Sequence, residues 1–197
     1  KIKMKKQLLF ILISIITFNS YSQIKFEKGY FIDNKDVKTE CLIKNMDWNR
    51  NPTEFDYKLN ESSPINKESI STVKEFAVAD LKYTRFLVNI DRSSEQTSKL
   101  SHIRSPNFNE EILFLKSLIE GTANLYSYHD VYLNRYFYDF SNAKVSQLIF
   151  KSYITEDNEI KNNNRFKQQL LTDLRCSTIS KKEIEKTLVT KEYKKSN

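Results

Sequence analysis

Apolar and polar residues alternate with a period of two along most of this chain, and the period changes only towards its end. From Tyr83 to Ile90, the positions Tyr83, Arg85, Leu87 and Asn89 alternate with Thr84, Phe86, Val88 and Ile90, the spacing of a strand with two unlike faces. Glu54 to Leu59 repeats the pattern, with Phe55, Tyr57 and Leu59 on one side and charge on the other. Lys28 to Asp33 and Val37 to Lys44 flank the polar turn Asp33-Asn34-Lys35-Asp36 and predict a hairpin. Between Glu110 and Phe140, Ile112 to Ile119 is almost continuously apolar, and Ala123 to Tyr128 and Tyr132 to Phe140 are rich in Tyr, Phe and Leu. That stretch predicts three consecutive antiparallel strands, with Gly121 offering a backbone free to turn. Further runs span Ile70 to Val78 and Val145 to Ile154, while the residues from Ile65 to Ile70 and from Asp91 to Asn109 read as polar loops.

The period becomes helical after that. Phe166, Leu170, Leu171 and Leu174 form one stripe within Asn162 to Arg175, behind an Asn-rich start suited to capping. Ser180 and Glu183 have capping-box spacing ahead of Ile184, Leu188 and Val189, which predicts a second helix with a lysine-rich end. The expected fold is mainly β with some α: an antiparallel sheet, or a partly open barrel or sandwich, completed by one or two C-terminal helices. One β-rich domain is expected over residues 23–176, with a basic helical or frayed tail over 177–197. Phe166, Leu170 and Leu174 are expected to be buried.

Composition changes this picture in two ways. With only two glycines and three prolines in 197 residues, most tight turns fall to Asn, Asp and Ser, whose short polar side chains tolerate left-handed backbone. The first 22 residues also stand apart. Lys1, Lys3, Lys5 and Lys6 precede the apolar run Leu8 to Phe18, and Ser20-Tyr21-Ser22 puts small residues where signal peptidase reads, which predicts cleavage before Gln23. That run is too short to span a membrane as a helix, and no second one follows.

Charge narrows the partners. The chain carries 32 basic and 25 acidic residues, net +7. The excess sits in the early lysines and in the tail from Lys181 onward, so residues 23–180 are formally neutral. A nucleic-acid partner is not expected, since such binders carry their excess on the folded surface.

The candidate chemistry is sparse. His102, His129, Asp130, Glu110 and Glu111 are the candidates for acid-base or metal chemistry, but the histidines have no short ligand spacing, so no metal site and no cofactor are expected. Asp91-Arg92-Ser93-Ser94 has neither a glycine elbow nor a tied histidine, and reads as a local cap rather than a nucleophile. Trp48 is either a ligand platform or a large aromatic closing one end of the sheet. Tyr126, Tyr128, Tyr132, Tyr136 and Tyr138 are candidates for a glycan- or peptide-binding face. Asn60-Glu61-Ser62 matches a glycosylation sequon without further support.

The blocks GYFIDNKDVKTECLIKNMDWNRNPTEFDYKL, FLVNIDRSS, EEILFLKSLIEGTANLYSY and RFKQQLLTDLRC, in this order from about Phe26 to Cys176, resemble the N-terminal domain of a group of exported Gram-negative envelope proteins. In many of them a porin-like outer-membrane barrel follows. The resemblance implies a β-rich envelope domain and carries no catalytic residues. Two departures are His129-Asp130-Val131, where similar proteins tend to use a glycine turn, and the end of this sequence at Asn197 with no barrel. Some related sequences are described as tRNA-modification GTPases; Gly29 and Gly121 alone cannot write a phosphate-cradling loop.

The functional expectation is a non-enzymatic accessory or interaction module of the cell envelope, in the periplasm or at the outer membrane, partnered by another envelope protein or by a following barrel. A small-ligand or glycan-binding module is the alternative, and a hydrolytic enzyme a further one. Export favours a disulfide between Cys41 and Cys176, against the reading of two buried thiols. Intact-mass measurement of the protein from the envelope fraction checks the export reading. The expected product begins at Gln23, and an uncut chain recovered from the cytosol would refute it.

Overall fold

The structure is a computed structural model that describes residues 25–141, 143–173 and 180–190. It is mainly β, as expected, and its principal element is a ten-stranded antiparallel sheet that is not closed into a barrel. The strands are β1 (Phe26–Asp33), β2 (Lys38–Lys44), β3 (Glu54–Lys58), β4 (Asn66–Ser69), β5 (Val73–Val78), β6 (Leu81–Asp91), β7 (Phe108–Ile119), β8 (Ala123–His129), β9 (Asn134–Phe140) and β10 (Ser146–Gln147). They lie in the order β10-β9-β8-β7-β6-β5-β1-β2-β3-β4. A separate hairpin of β11 (Lys151–Ile154) and β12 (Ile160–Asn163) follows, then α1 (Arg165–Asp173) and α2 (Lys181–Thr190).

Register assigns every side chain to a face. Phe31 pairs with Phe76, Phe76 with Tyr83, Gly29 with Cys41 and Ile43 with Tyr57, so these residues share one face, here the front. A core of Phe31, Cys41, Ile43, Phe55, Val78, Phe76, Tyr83 and Phe114 is built on it. Phe55 on β3 stacks on Phe76 of β5 with ring centroids 4.3 Å apart, although β1 and β2 lie between those strands. In a flat sheet three strand spacings amount to about 14 Å, so this half must curl towards the front.

The other half curls the opposite way. Val88, Ile90, Leu113, Leu115, Tyr126 and Phe137 form a second core on the back face. The backbone N–H of Asp91 on β6 donates to Gln147 Oε1 on β10 at 2.8 Å, four strands away in sheet order. Buried Arg135 of β9 fastens the same closure: Nε donates to the Asp91 carbonyl at 2.9 Å, Nη2 to the Ser93 carbonyl at 2.9 Å, and Nη1 to Glu95. A third cluster, Tyr138, Leu148 and Phe166 with Leu170 beside them, seats α1 on the front face of β9.

Turn chemistry follows the composition. Asp36, Asp47, Ser141 and Asn158 take positive φ, as does Ala79. Gly121 does not: its φ is ordinary, and the turn is held instead by its N–H donating to Asn124 Oδ1 at 2.9 Å. Gly29 has the steric role, because a Cβ there would lie 2.3 Å from the Ala77 carbonyl oxygen on the adjacent strand.

Several boundaries differ from the expectation. The polar stretch after Ile65 contains β4, an edge strand whose Asn-Lys-Glu-Ser sequence hides it from any apolar pattern. Val145 to Ile154 is not one strand, since Leu148 to Phe150 leave the sheet to pack under α1. Asn162 and Asn163 belong to β12, and Asn163 Oδ1 then accepts from the Arg165 N–H, so α1 starts three residues late. Phe166 is buried and Leu170 half-buried, while Leu174 lies outside the described residues. Leu59 falls just past β3 and is exposed. The capping box is present, Ser180 Oγ accepting from the Glu183 N–H at 3.3 Å and Glu183 Oε2 from the Ser180 N–H at 2.9 Å. Cys41 is a buried thiol, pushed up to about 11 by burial and then by the charge of Glu40; Cys176 lies outside the described residues.

Gly29→Ala should destabilise the protein by about 1–3 kcal/mol through overpacking, seen as a lower urea midpoint at unchanged slope. A midpoint equal to wild type would show that β1 and β5 separate without cost.

Candidate functional site

Between the front core and α1, the described residues provide no covering layer of apolar side chains over the front face of β6–β9. Register places four residues there in a row, each the direct cross-strand neighbour of the next: Tyr83 pairs with Lys116, Lys116 with Ser127, and Ser127 with Tyr136. The row covers about 14 Å of sheet floor. It reads aromatic, cation, hydroxyl, aromatic.

One wall is the loop of residues 45–53, which leaves β2 and crosses the front face before returning as β3. Trp48 sits midway along it and packs edge-on to Phe76 and Tyr83, with centroids 5.7 and 5.8 Å away. The loop is pinned at its far side by Asn51, whose Nδ2 donates to the carbonyls of Phe114 at 2.8 Å and Ser127 at 2.9 Å. Asn51 Oδ1 accepts from the His129 N–H at 2.9 Å, and its own N–H donates to the His129 carbonyl at 2.9 Å. The β7–β8 ladder begins at Lys116 and Ser127, so Asn51 fills the hydrogen-bonding gap where the two strands part. Asp47 takes left-handed backbone at φ 45 on the same loop.

Together these elements enclose an open groove of about 560 Å³, a size suited to a small organic ligand. Among the described residues, the Lys116 ammonium has no ion pair, and the Trp48 indole N–H, the Ser127 hydroxyl and the Asp47 carboxylate have no hydrogen-bond partner. The Tyr83 hydroxyl is pushed up to about 12 by burial and then by the Asp47 charge, so it stays protonated. His129 Nδ1 hydrogen-bonds to Asn134 Oδ1 across the β8–β9 pair.

The structure redistributes the candidate residues. The five tyrosines do not form one face: Tyr126 and Tyr128 pair with Phe137 and Arg135 on the back, while Tyr136 and Tyr138 pair with Ser127 and Leu125 on the front. Tyr126 and Tyr138 are 7% exposed and their hydroxyls donate to Asp139 and Asp173, so both are core residues. Tyr132 is 68% exposed on the β8–β9 turn, beside two smaller cavities of about 290 Å³ each. Only Tyr136 reaches the groove. Trp48 closes the front core with one edge and also lines the groove.

His102 stands exposed in the loop before β7. Glu111 and Asp130 do meet, on Arg92: its Nε and Nη2 donate to Glu111 at 2.9 and 2.6 Å, Nη1 donates to Asp130 at 3.1 Å, and the guanidinium lies over Tyr128. Asp91 Oδ1 accepts from the N–H and hydroxyl of Ser93 and from the Asn107 N–H, which ties both ends of the 92–107 loop. Asp47, Asn51, Tyr83, Lys116 and Ser127 were not singled out by sequence. The one signal was the break Asp47-Trp48-Asn49-Arg50-Asn51-Pro52, a polar loop holding the only tryptophan.

No family model, curated protein or solved structure matches the chain.

Arg92, mainly by hydrogen bonding, holds the Glu111 carboxyl below its ordinary value of 4.5. A depressed carboxylate stabilises the fold above the unfolded value, and that contribution disappears as pH falls through the folded one. The urea midpoints of wild type and Glu111→Gln should therefore differ at neutral pH and converge as pH falls below 4.5. A pH-independent gap would disprove the coupling.

Proposed function

We propose that this chain is a non-enzymatic interaction module of the bacterial cell envelope that binds a saccharide in the front groove. The observation that carries the reading is the row Tyr83–Lys116–Ser127–Tyr136 beneath Trp48. Aromatic faces stack on the apolar C–H face of a sugar ring, and the groups between them offer hydrogen bonds to hydroxyls. The donors and acceptors are held by sheet register and by the four Asn51 hydrogen bonds, so little conformational freedom is lost on binding.

Binding rather than hydrolysis is favoured by the lining itself. Asp47 is the only carboxylate among the described groove residues, whereas acid-base hydrolysis of a glycosidic bond uses two. Export to the envelope is supported by the basic and apolar start of the sequence and by the resemblance of residues 26–176 to exported envelope domains. In that setting the groove would hold the module against an envelope glycan or a glycosylated partner.

Trp48 is the only tryptophan, so its emission reports on the groove directly. Titration of the secreted form with N-acetylglucosamine oligomers, muramyl saccharides and galacturonate oligomers should give a saturable emission change with at least one of them. Ser127→Tyr, which fills the floor, should abolish the change while leaving the melting temperature within a few degrees of wild type. No response to any of these saccharides would overturn the reading.

A further inference from the structure

Resting on that reading, we infer that the groove selects an acidic saccharide, and that Lys116 is the residue that pairs with its carboxylate. The inference starts from where charge is and is not neutralised on β6 and β7. On the back face every cation is matched: Lys82 binds Glu75 at 3.4 Å and Glu120 at 2.8 Å, and Arg92 binds Glu111 and Asp130. Glu75 is committed further, accepting from the Tyr30 hydroxyl at 2.7 Å and from Thr84 at 3.2 Å. The carboxylates nearest in the sheet are therefore spent on the far face.

Lys116 points to the front. Its cross-strand neighbours there are Tyr83 and Ser127, neither of which carries negative charge. The side chain is half-buried, and no carboxylate of the described residues lies within ion-pair distance. Asp47 lines the same groove but stands on the crossing loop, where its charge bears on the Tyr83 hydroxyl. The floor of the groove thus holds a half-buried lysine without a counter-ion among the described residues, and an incoming anion would supply one.

The surroundings decide which anion. A bare inorganic ion would leave Trp48, Tyr83 and Tyr136 unused. A sugar ring bearing a carboxylate places its charge on Lys116, its ring against the flanking aromatics and its hydroxyls within reach of Asp47 and Ser127. Asp47 then acts as an acceptor for hydroxyls, the part a carboxylate plays without needing a cation in the ligand.

The experiment compares each acidic saccharide with a counterpart that lacks the free carboxylate. Trigalacturonate against its methyl ester, and N-acetylmuramic acid against N-acetylglucosamine, are titrated into the wild-type secreted form while Trp48 emission is followed. A charge-assisted hydrogen bond predicts roughly 10- to 100-fold tighter binding of the acid in at least one pair, falling with added salt. Lys116→Gln should bring acid and neutral partner to within a few-fold, and Lys116→Arg should keep the preference. Equal wild-type binding of acid and neutral partner in both pairs would overturn this inference while leaving the saccharide groove intact. No response to any of the four ligands would overturn both. An acid preference that survives unchanged in Lys116→Gln would assign the selectivity to another group and refute the role given to Lys116.

Discussion

The architecture depends on two strands that contribute buried residues to both faces of the sheet. β6 contributes Tyr83 to the front core and Val88 and Ile90 to the back core, so the buried parity switches within one strand. β7 does the same in three consecutive residues, Phe114 facing front between Leu113 and Leu115 facing back. Successive side chains of a strand point to opposite faces, and an uninterrupted apolar run is stable only where both faces are covered. The β6–β7 pair is where the two oppositely curled halves of the sheet meet. Shifting β7 by one residue would exchange its two cores, which is why a nine-residue register from Tyr83–Lys116 to Asp91–Phe108 is enforced there.

Apolar burial does not explain the curvature alone. Each half is drawn over by polar groups reaching across intervening strands. On the back, Arg135, Asp91 and Gln147 join β9, β6 and β10, with the guanidinium satisfied chiefly by backbone carbonyls. On the front, Asn51 joins the crossing loop to both β7 and β8. These ties are expensive to break, because each would leave a buried polar group unpaired, on the back beside Asp91 Oδ2 and Gln147 Nε2, which already lack hydrogen-bond partners among the described residues. They give geometric definition to an open sheet that lacks the closure of a barrel.

The groove is the consequence of the two cores lying on opposite faces. Where the front core ends at Tyr83 and Phe114 and the α1 cluster has not yet begun, the described residues put no apolar layer over the front face, and the row Lys116, Ser127 and Tyr136 is polar or amphipathic accordingly. The crossing loop turns that uncovered strip into a concavity instead of a flat face. Scaffold and candidate site are thus set by one feature, the switch of buried face along the sheet.

The sequence by itself determined the mainly β class, the early hairpin, the central strands, the helix carrying Phe166, the capping box at Ser180 and the use of Asp, Asn and Ser at left-handed turns. These follow from local rules: a period of two or 3.6, and side chains that bond to their own backbone. It did not determine β4 or β12, whose residues are polar because they lie at edges. Nor did it separate the tyrosines, since residues 126 and 136 have the same parity in the chain yet fall on opposite faces once the β8–β9 register pairs Tyr126 with Phe137. The assembly of Tyr83, Lys116, Ser127 and Tyr136 was decided only in three dimensions. Each is an unremarkable residue in its own strand, and no local pattern links them, because their neighbourhood is made by register across four strands and by a loop pinned 78 residues away in sequence.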